Sequence, residues 1–204
     1  MPRRSIIDPD KSYSFADYFK LNFSPQDILS YFGVSLQRRN LGLCQYEGQL
    51  DRLDNLKSRI EESLPLLTLT SEMARREFLI APVLMDVLHY TQARLDVKYS
   101  VAVSDQLKGS LDYLLQNQQS FLVIDAKNED LERGFVQLAV EMIALDQWIE
   151  SDQKVLKGAV STGNVWQFGQ FDRESRKVTQ GLELYRVPSD LEEVMRILIE
   201  ALRI

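Results

Sequence analysis

The sequence is poorest in the residues that usually announce chemistry on their own. One cysteine, Cys44, and one histidine, His89, serve the whole chain of 204 residues. Cys44 has no partner for a disulfide within the chain, and no Cys/His cluster offers itself to zinc, iron–sulfur or haem. A reducing cytoplasm is the simplest home for such a chain. Nine glycines and six prolines leave no room for collagenous, low-complexity or long linker tracts. No run approaches the roughly 18 apolar residues of a membrane span. The start, Met1-Pro2-Arg3-Arg4-Ser5-Ile6-Ile7-Asp8, is basic but lacks the apolar stretch of a signal peptide, so neither membrane insertion nor export by that route is expected. Positive charge is not in excess either: 24 Lys and Arg against 30 Asp and Glu leave a net charge of −6. That excludes a broadly basic nucleic-acid coat.

What remains has the length and composition of one self-sufficient core with an added segment. Residues 1–20 carry scattered aromatics (Tyr13, Phe15, Tyr18, Phe19) and read as an arm that docks by its rings without regular structure. Ser24-Pro25-Gln26-Asp27 starts a short helix that stops at Gly33. Leu50, Leu53, Leu56, Ile60 and Leu64 recur at helical spacing, and Pro65 ends them. Thr70-Ser71-Glu72 opens a second long helix, with Pro82 as a kink or restart. The period then changes to two at Val97, Tyr99, Val101 and Val103, a half-buried strand.

Residues 108–115 and 121–127 are further strands around a polar loop, residues 116–120, of hairpin length. Phe135, Leu138, Ala139, Met142 and Leu145 return to helical spacing. Strands over 155–160, 165–171 and 178–187 follow, and Ser189-x-x-Glu192 is a capping box that opens a final helix. The expected fold is α/β: a central mixed sheet flanked by helices over residues 66–204, preceded by a helical segment over residues 1–65.

Asp-x-Lys occurs at Asp96-Val97-Lys98, Asp125-Ala126-Lys127 and Asp152-Gln153-Lys154, so the tripeptide alone carries nothing. The first begins a strand and the third lies in a charged loop. Asp125 and Lys127 instead end the apolar run Phe121-Leu122-Val123-Ile124 and share a face, because strand side chains alternate. A loop centred on Gln118-Gln119 sets Asp112 directly opposite Asp125, with Cβ atoms roughly 4.5–5.5 Å apart. Like charges so placed repel, and either Lys127 or a divalent cation is expected between them. Mg²⁺, a hard and partly hydrated ion, suits a carboxylate pair with few other protein donors. A loop one residue longer or shorter would undo the pairing.

Gly109-Ser110-Leu111-Asp112-Tyr113-Leu114, then Val123-Ile124-Asp125-Ala126-Lys127, then a helix with Gln137, resemble the core of the PD-(D/E)XK nuclease superfamily. The stretch from Glu72 to Leu84 resembles the acidic helix before the core strands in the nuclease domains of type I restriction subunits. The resemblance is nearest to chiefly cyanobacterial members of that superfamily and extends over most of the chain, including Thr162-Gly163-Asn164-Val165-Trp166 and the last helix. Leu111 stands where the name-giving proline would be.

The resemblance implies a restriction-endonuclease-like, Mg²⁺- or Mn²⁺-dependent nuclease acting on nucleic acid, DNA rather than RNA, with a homodimer among the assemblies it allows. It implies that Asp112, Asp125 and the Ala126 carbonyl hold the metal and that Lys127 orients or deprotonates the attacking water. Glu72 becomes a further carboxylate, and Gln137 steadies the site.

Plainer readings stand beside these. The aspartates and Lys127 form a structural ion-pair network, Glu72 and Arg76 a helical surface pair with Glu77 competing for the role of Glu72, and Gln137 and Glu141 a solvated face. His89 packs within its helix, the pairs Arg3-Arg4 and Arg38-Arg39 are solvated surface, and Trp148 and Trp166 are core or interface anchors. The whole chain is then a non-catalytic module that keeps the nuclease fold to bind nucleic acid or protein.

Overall fold

A computed structural model describes residues 6–117, 120–127 and 130–203. Arg3 and Arg4, and Gln118 and Gln119, on which the expected loop is centred, lie outside the described residues. The aromatic arm is more regular than its polarity suggests: Phe15–Lys20 form a helix, α1, which buries Phe15 and Tyr18. α2 (Pro25–Tyr31) starts after Ser24 with proline in its first turn, as expected, and the chain turns at Gly33 with φ +68°. Ser35–Arg39, in the segment expected to be helical, form a strand, β1.

α3 (Leu53–Ser63) is followed by α4 (Glu72–Arg75), a π-helical turn over Arg76–Ile80, and α5 (Ala81–Thr91). Pro82 has no N–H to bond the preceding turn, so the helix widens there; single π turns of this kind recur at functional sites. β2 (Arg94–Ser104), β3 (Leu107–Gln116) and β4 (Phe121–Ala126) come next, then α6 (Leu131–Trp148). β5 (Val155–Ser161), β6 (Val165–Asp172), β7 (Lys177–Arg186) and α7 (Leu191–Leu202) complete the chain. The capping residue of α7 is Asp190 rather than Ser189, and its carboxylate accepts from the Arg186 N–H.

The seven strands make one mixed sheet in the order β1-β7-β6-β5-β4-β3-β2. β4 and β5 run parallel, as do β1 and β7, and the other neighbours are antiparallel. A parallel pair needs a crossover, and α6 supplies it. Both faces are covered. Leu56, Val83, Val87, Val194 and Leu198 from α3, α5 and α7 pack with Leu122, Ile124 and Trp166 on one face. Phe15, Ile28, Leu138 and Met142 from α1, α2 and α6 pack with Val123, Val160 and Phe171 on the other.

β4 therefore reads as a near-continuous apolar run, as a strand buried on both faces does. α6 is buried all round from Gly134 to Leu145, which a one-sided reading of its periodicity misses. Trp166 is fully buried, but Trp148 is exposed. Among the described residues no helix is long and apolar enough to cross a membrane.

Candidate active site

β3 and β4 pair in the expected register, Tyr113 with Ile124 through Gln116 with Phe121. Beyond Tyr113–Ile124 the strands part, β3 staying with β2 and β4 continuing along β5 to the pair Ala126–Ser161. Asp112 and Asp125 are the residues just past that fork. The Ala126 N–H, which β3 no longer engages, donates to Asp112 Oδ2 at 2.9 Å. A carboxylate thus replaces a main-chain carbonyl where the ladder opens.

Asp125 is completely buried. Its Oδ1 accepts from Lys127 Nζ at 2.7 Å and from Gln137 Nε2 at 3.2 Å. Lys127 also donates to the Ala126 carbonyl at 3.1 Å, and its ammonium stands 5.6 Å from the centre of the Phe19 ring. The Lys127 stem runs along α6 because residue 134 is glycine: a Cβ there would come within 2.9 Å of Lys127 Cγ and 2.8 Å of Val160 Cγ2. Gln137 donates in addition to Glu141 Oε1 at 2.8 Å.

Glu141, read from sequence as part of a solvated face with Gln137, is fully buried, as Gln137 nearly is. Asp125 Oδ2 and Glu141 Oε2 are buried without a hydrogen-bond partner. Burial, with Asp112 nearby, pushes Asp125 up to about 7 despite Lys127. Burial and the Asp125 charge raise Glu141 well above the carboxylate range. Burial opposes the charge on Lys127, but Asp125 and Glu141 outweigh it and hold the ammonium above its ordinary value.

Asp112 is neutralised by a set of groups different from the expected one. Lys127 sits on Asp125, while Asp112 Oδ1 receives Lys98 Nζ at 2.5 Å and Arg76 Nη1 at 3.5 Å. Arg76 lies 5.0 Å from the Tyr113 ring centre, with its Nε 3.4 Å from the Tyr113 hydroxyl, and also pairs with Glu72 at 3.9 Å. Lys98 lies between the pairs Val97–Tyr113 and Tyr99–Leu111, directly across from Asp112. Its φ is +55°, a left-handed conformation that costs a non-glycine residue roughly 1–2 kcal/mol. The Asp96-Val97-Lys98 tripeptide is therefore not inert: its lysine belongs to the site. Asp152-Gln153-Lys154 stays in an irregular, partly exposed loop.

The structure thus gathers Asp112, Asp125, Lys127 and Gln137 around one fork. Glu72 faces a cleft of about 490 Å³ together with Phe19, Lys20, Lys127, Asp130 and Gln137. Glu77, the competitor for its role, lines a separate groove beside Arg59 and Ile60. His89 is exposed, 4.0 Å from Asp51, rather than packed in its helix. Arg38 pairs with Glu132 on the surface.

Three site residues escaped the sequence reading as such: Lys98, Arg76 and Glu141. Arg76 was visible only as a helical partner of Glu72, and Glu141 only as the fourth residue after Gln137. No protein-family model, curated protein or solved structure matches the chain.

A divalent cation is tested by what the carboxylates lack. Among the described residues no group of three or more His, Cys, Asp or Glu side chains is gathered closely enough to hold a metal. The unpartnered, fully buried Asp125 Oδ2 is nonetheless the kind of oxygen that needs a cation or a proton. Asp112 offers no free oxygen beside it, since both of its oxygens are engaged, so Asp125 Oδ2 is the carboxylate oxygen of this pair open to a hard ion or to a proton.

Proposed function

We propose that this protein is a Mg²⁺- or Mn²⁺-dependent nuclease with a restriction-endonuclease-like core, hydrolysing nucleic-acid phosphodiesters, DNA in preference to RNA, in the cytoplasm. The observation that carries the reading is Asp125, buried to completion at a strand fork with Lys127 on one oxygen and nothing on the other. An ionisable pair costs free energy in such a place unless it is used. Asp112, Asp125 and the Ala126 carbonyl would hold the cation, which when bound lowers the pKa of water and offsets charge on phosphate.

The protein's own groups do the rest. Lys127 orients the attacking water and sets a positive charge against the phosphate as charge develops there. Gln137 fixes the Asp125 carboxylate, and Glu72 presents a further carboxylate to the same cleft.

A second reading, a non-catalytic module that binds nucleic acid or protein, is favoured by one observation: both Asp112 oxygens are already engaged, by Lys98 and Arg76 on one and the Ala126 N–H on the other. Incubating purified protein with single- and double-stranded DNA and RNA, with Mg²⁺ or Mn²⁺, separates the two. Cleavage that disappears in Asp125→Ala supports the nuclease. Binding without cleavage, with no heat of Mn²⁺ binding and no rise in melting temperature on adding metal, supports the module.

A further inference from the structure

We infer that Lys98 and Arg76 are the phosphate-gripping pair of this site, taking the non-bridging oxygens of a nucleic-acid phosphodiester that arrives over the β2 edge. The inference rests on the nucleic-acid reading above and adds to it the groups that would hold the substrate. Its first support is the meeting of two cations on one carboxylate oxygen. Asp112 is a nearly buried carboxylate, and Arg76, already braced on the Tyr113 ring and hydroxyl, reaches its Oδ1. Arg76 is shared with Glu72, and Lys98 arrives at the same Asp112 oxygen, so a guanidinium and an ammonium stand side by side there.

The second support is how Lys98 gets there. β2 is the edge strand of the sheet, and the pairs on either side of Lys98 keep the same register, so no turn or bulge at that residue demands its left-handed backbone. A strained residue that nothing local requires is characteristic of functional sites. The third support is accessibility. The Lys98 side chain is 53% exposed, while Asp112 beneath it is 7% exposed, so a ligand in solvent reaches Lys98 before it reaches the carboxylate.

Lysine has three N–H donors and arginine five in a planar fork, so both retain donors beyond the carboxylate. A planar fork beside a point charge is suited to a phosphodiester. Electrostatic attraction here is local, which reconciles phosphate binding with a net charge of −6.

The test is binding, read apart from catalysis. A fluorescein-labelled oligonucleotide, single- or double-stranded, is titrated in EDTA at several NaCl concentrations and followed by anisotropy. The proteins compared are wild type, Lys98→Gly, Lys98→Arg and Lys154→Ala, each checked by circular dichroism. Glycine accepts a positive φ without strain, so Lys98→Gly isolates loss of the ammonium from damage to β2. Lys98→Gly should bind about tenfold more weakly and lower the slope of log K against log salt by about 0.7–0.9. Lys98→Arg should restore most of both, and Lys154→Ala should match wild type.

A Lys98→Gly protein with wild-type affinity and salt slope overturns the inference and leaves Lys98 as a neutraliser of Asp112, with the nuclease reading intact. A wild type that binds neither DNA nor RNA overturns both together.

Discussion

Asp112 accepts a hydrogen bond from the main-chain N–H of Ala126 at 2.9 Å, across the gap where β3 and β4 cease to pair. The carboxylate therefore closes the sheet as well as facing the site, and its two roles separate by substitution. Asp112→Asn keeps an acceptor for the N–H and removes the charge, whereas Asp112→Ala orphans a buried donor at a cost of about 1–3 kcal/mol. Urea denaturation should show Asp112→Ala clearly less stable than Asp112→Asn. Both should lose cleavage. Equal stabilities would mean that the N–H finds water instead.

Lys127 and Asp125 sit 2.7 Å apart but do different work. A lysine cannot ligate a cation, and its charge counts most as the phosphate gains charge in the transition state. Lys127→Met, which keeps the stem along α6, should retain Mn²⁺ binding by calorimetry and lose about 10²–10⁴-fold in cleavage rate. Asp125→Ala should lose both. Cleavage surviving in Lys127→Met would remove the lysine from the mechanism.

Much of this arrangement is legible in the sequence because it depends on period two and one turn. The run Phe121-Leu122-Val123-Ile124 announces a buried strand, and the loop before it sets Asp112 beside Asp125. Lys98 was not legible. Ser104 pairs with Leu107 around Asp105-Gln106, and continuing that register would set Tyr99 opposite Asp112. An irregularity between Ala102 and Ser104 shifts the ladder by one residue and brings Lys98 there instead. Nothing in the alternation of Val97, Tyr99, Val101 and Val103 marks that shift. Glu141 was missed for another reason: a carboxylate four residues after Gln137 looks solvated until α1, α2 and the sheet enclose α6 from all sides. The same enclosure explains α1, whose Phe15 and Tyr18 become helical by packing rather than by propensity.

Gly134 is a less obvious dependency. In the interior of a helix, replacing glycine by alanine ordinarily gains about 0.5–1 kcal/mol. Here the added Cβ would meet Val160 Cγ2 at 2.8 Å and Lys127 Cγ at 2.9 Å, and overpacking of that kind costs about 1–3 kcal/mol. Gly134→Ala should lower the melting temperature and, by displacing Lys127, lower cleavage as well. A stabilised and fully active Gly134→Ala would show that Lys127 has room to move away from α6.

The two buried acids make stability fall as pH rises. Glu141 titrates well above its ordinary value of 4.5 because burial, then the Asp125 charge, disfavours its ionised form, and burial places Asp125 at about 7. Between the unfolded and folded pKa values the native chain binds more protons than the unfolded chain. Raising the pH through that window therefore favours unfolding, by up to about 1.4 kcal/mol per pH unit for each group. Glu141→Gln removes one of them while leaving an amide oxygen to accept from Gln137. At pH 4, where the acid is mostly protonated in both states, Glu141→Gln and wild type should melt nearly alike; at pH 8 the variant should melt higher. A variant that melts lower at pH 8 would mean that Glu141 is ionised there and paired with a cation, in which case Mn²⁺ should stabilise wild type more than Glu141→Gln.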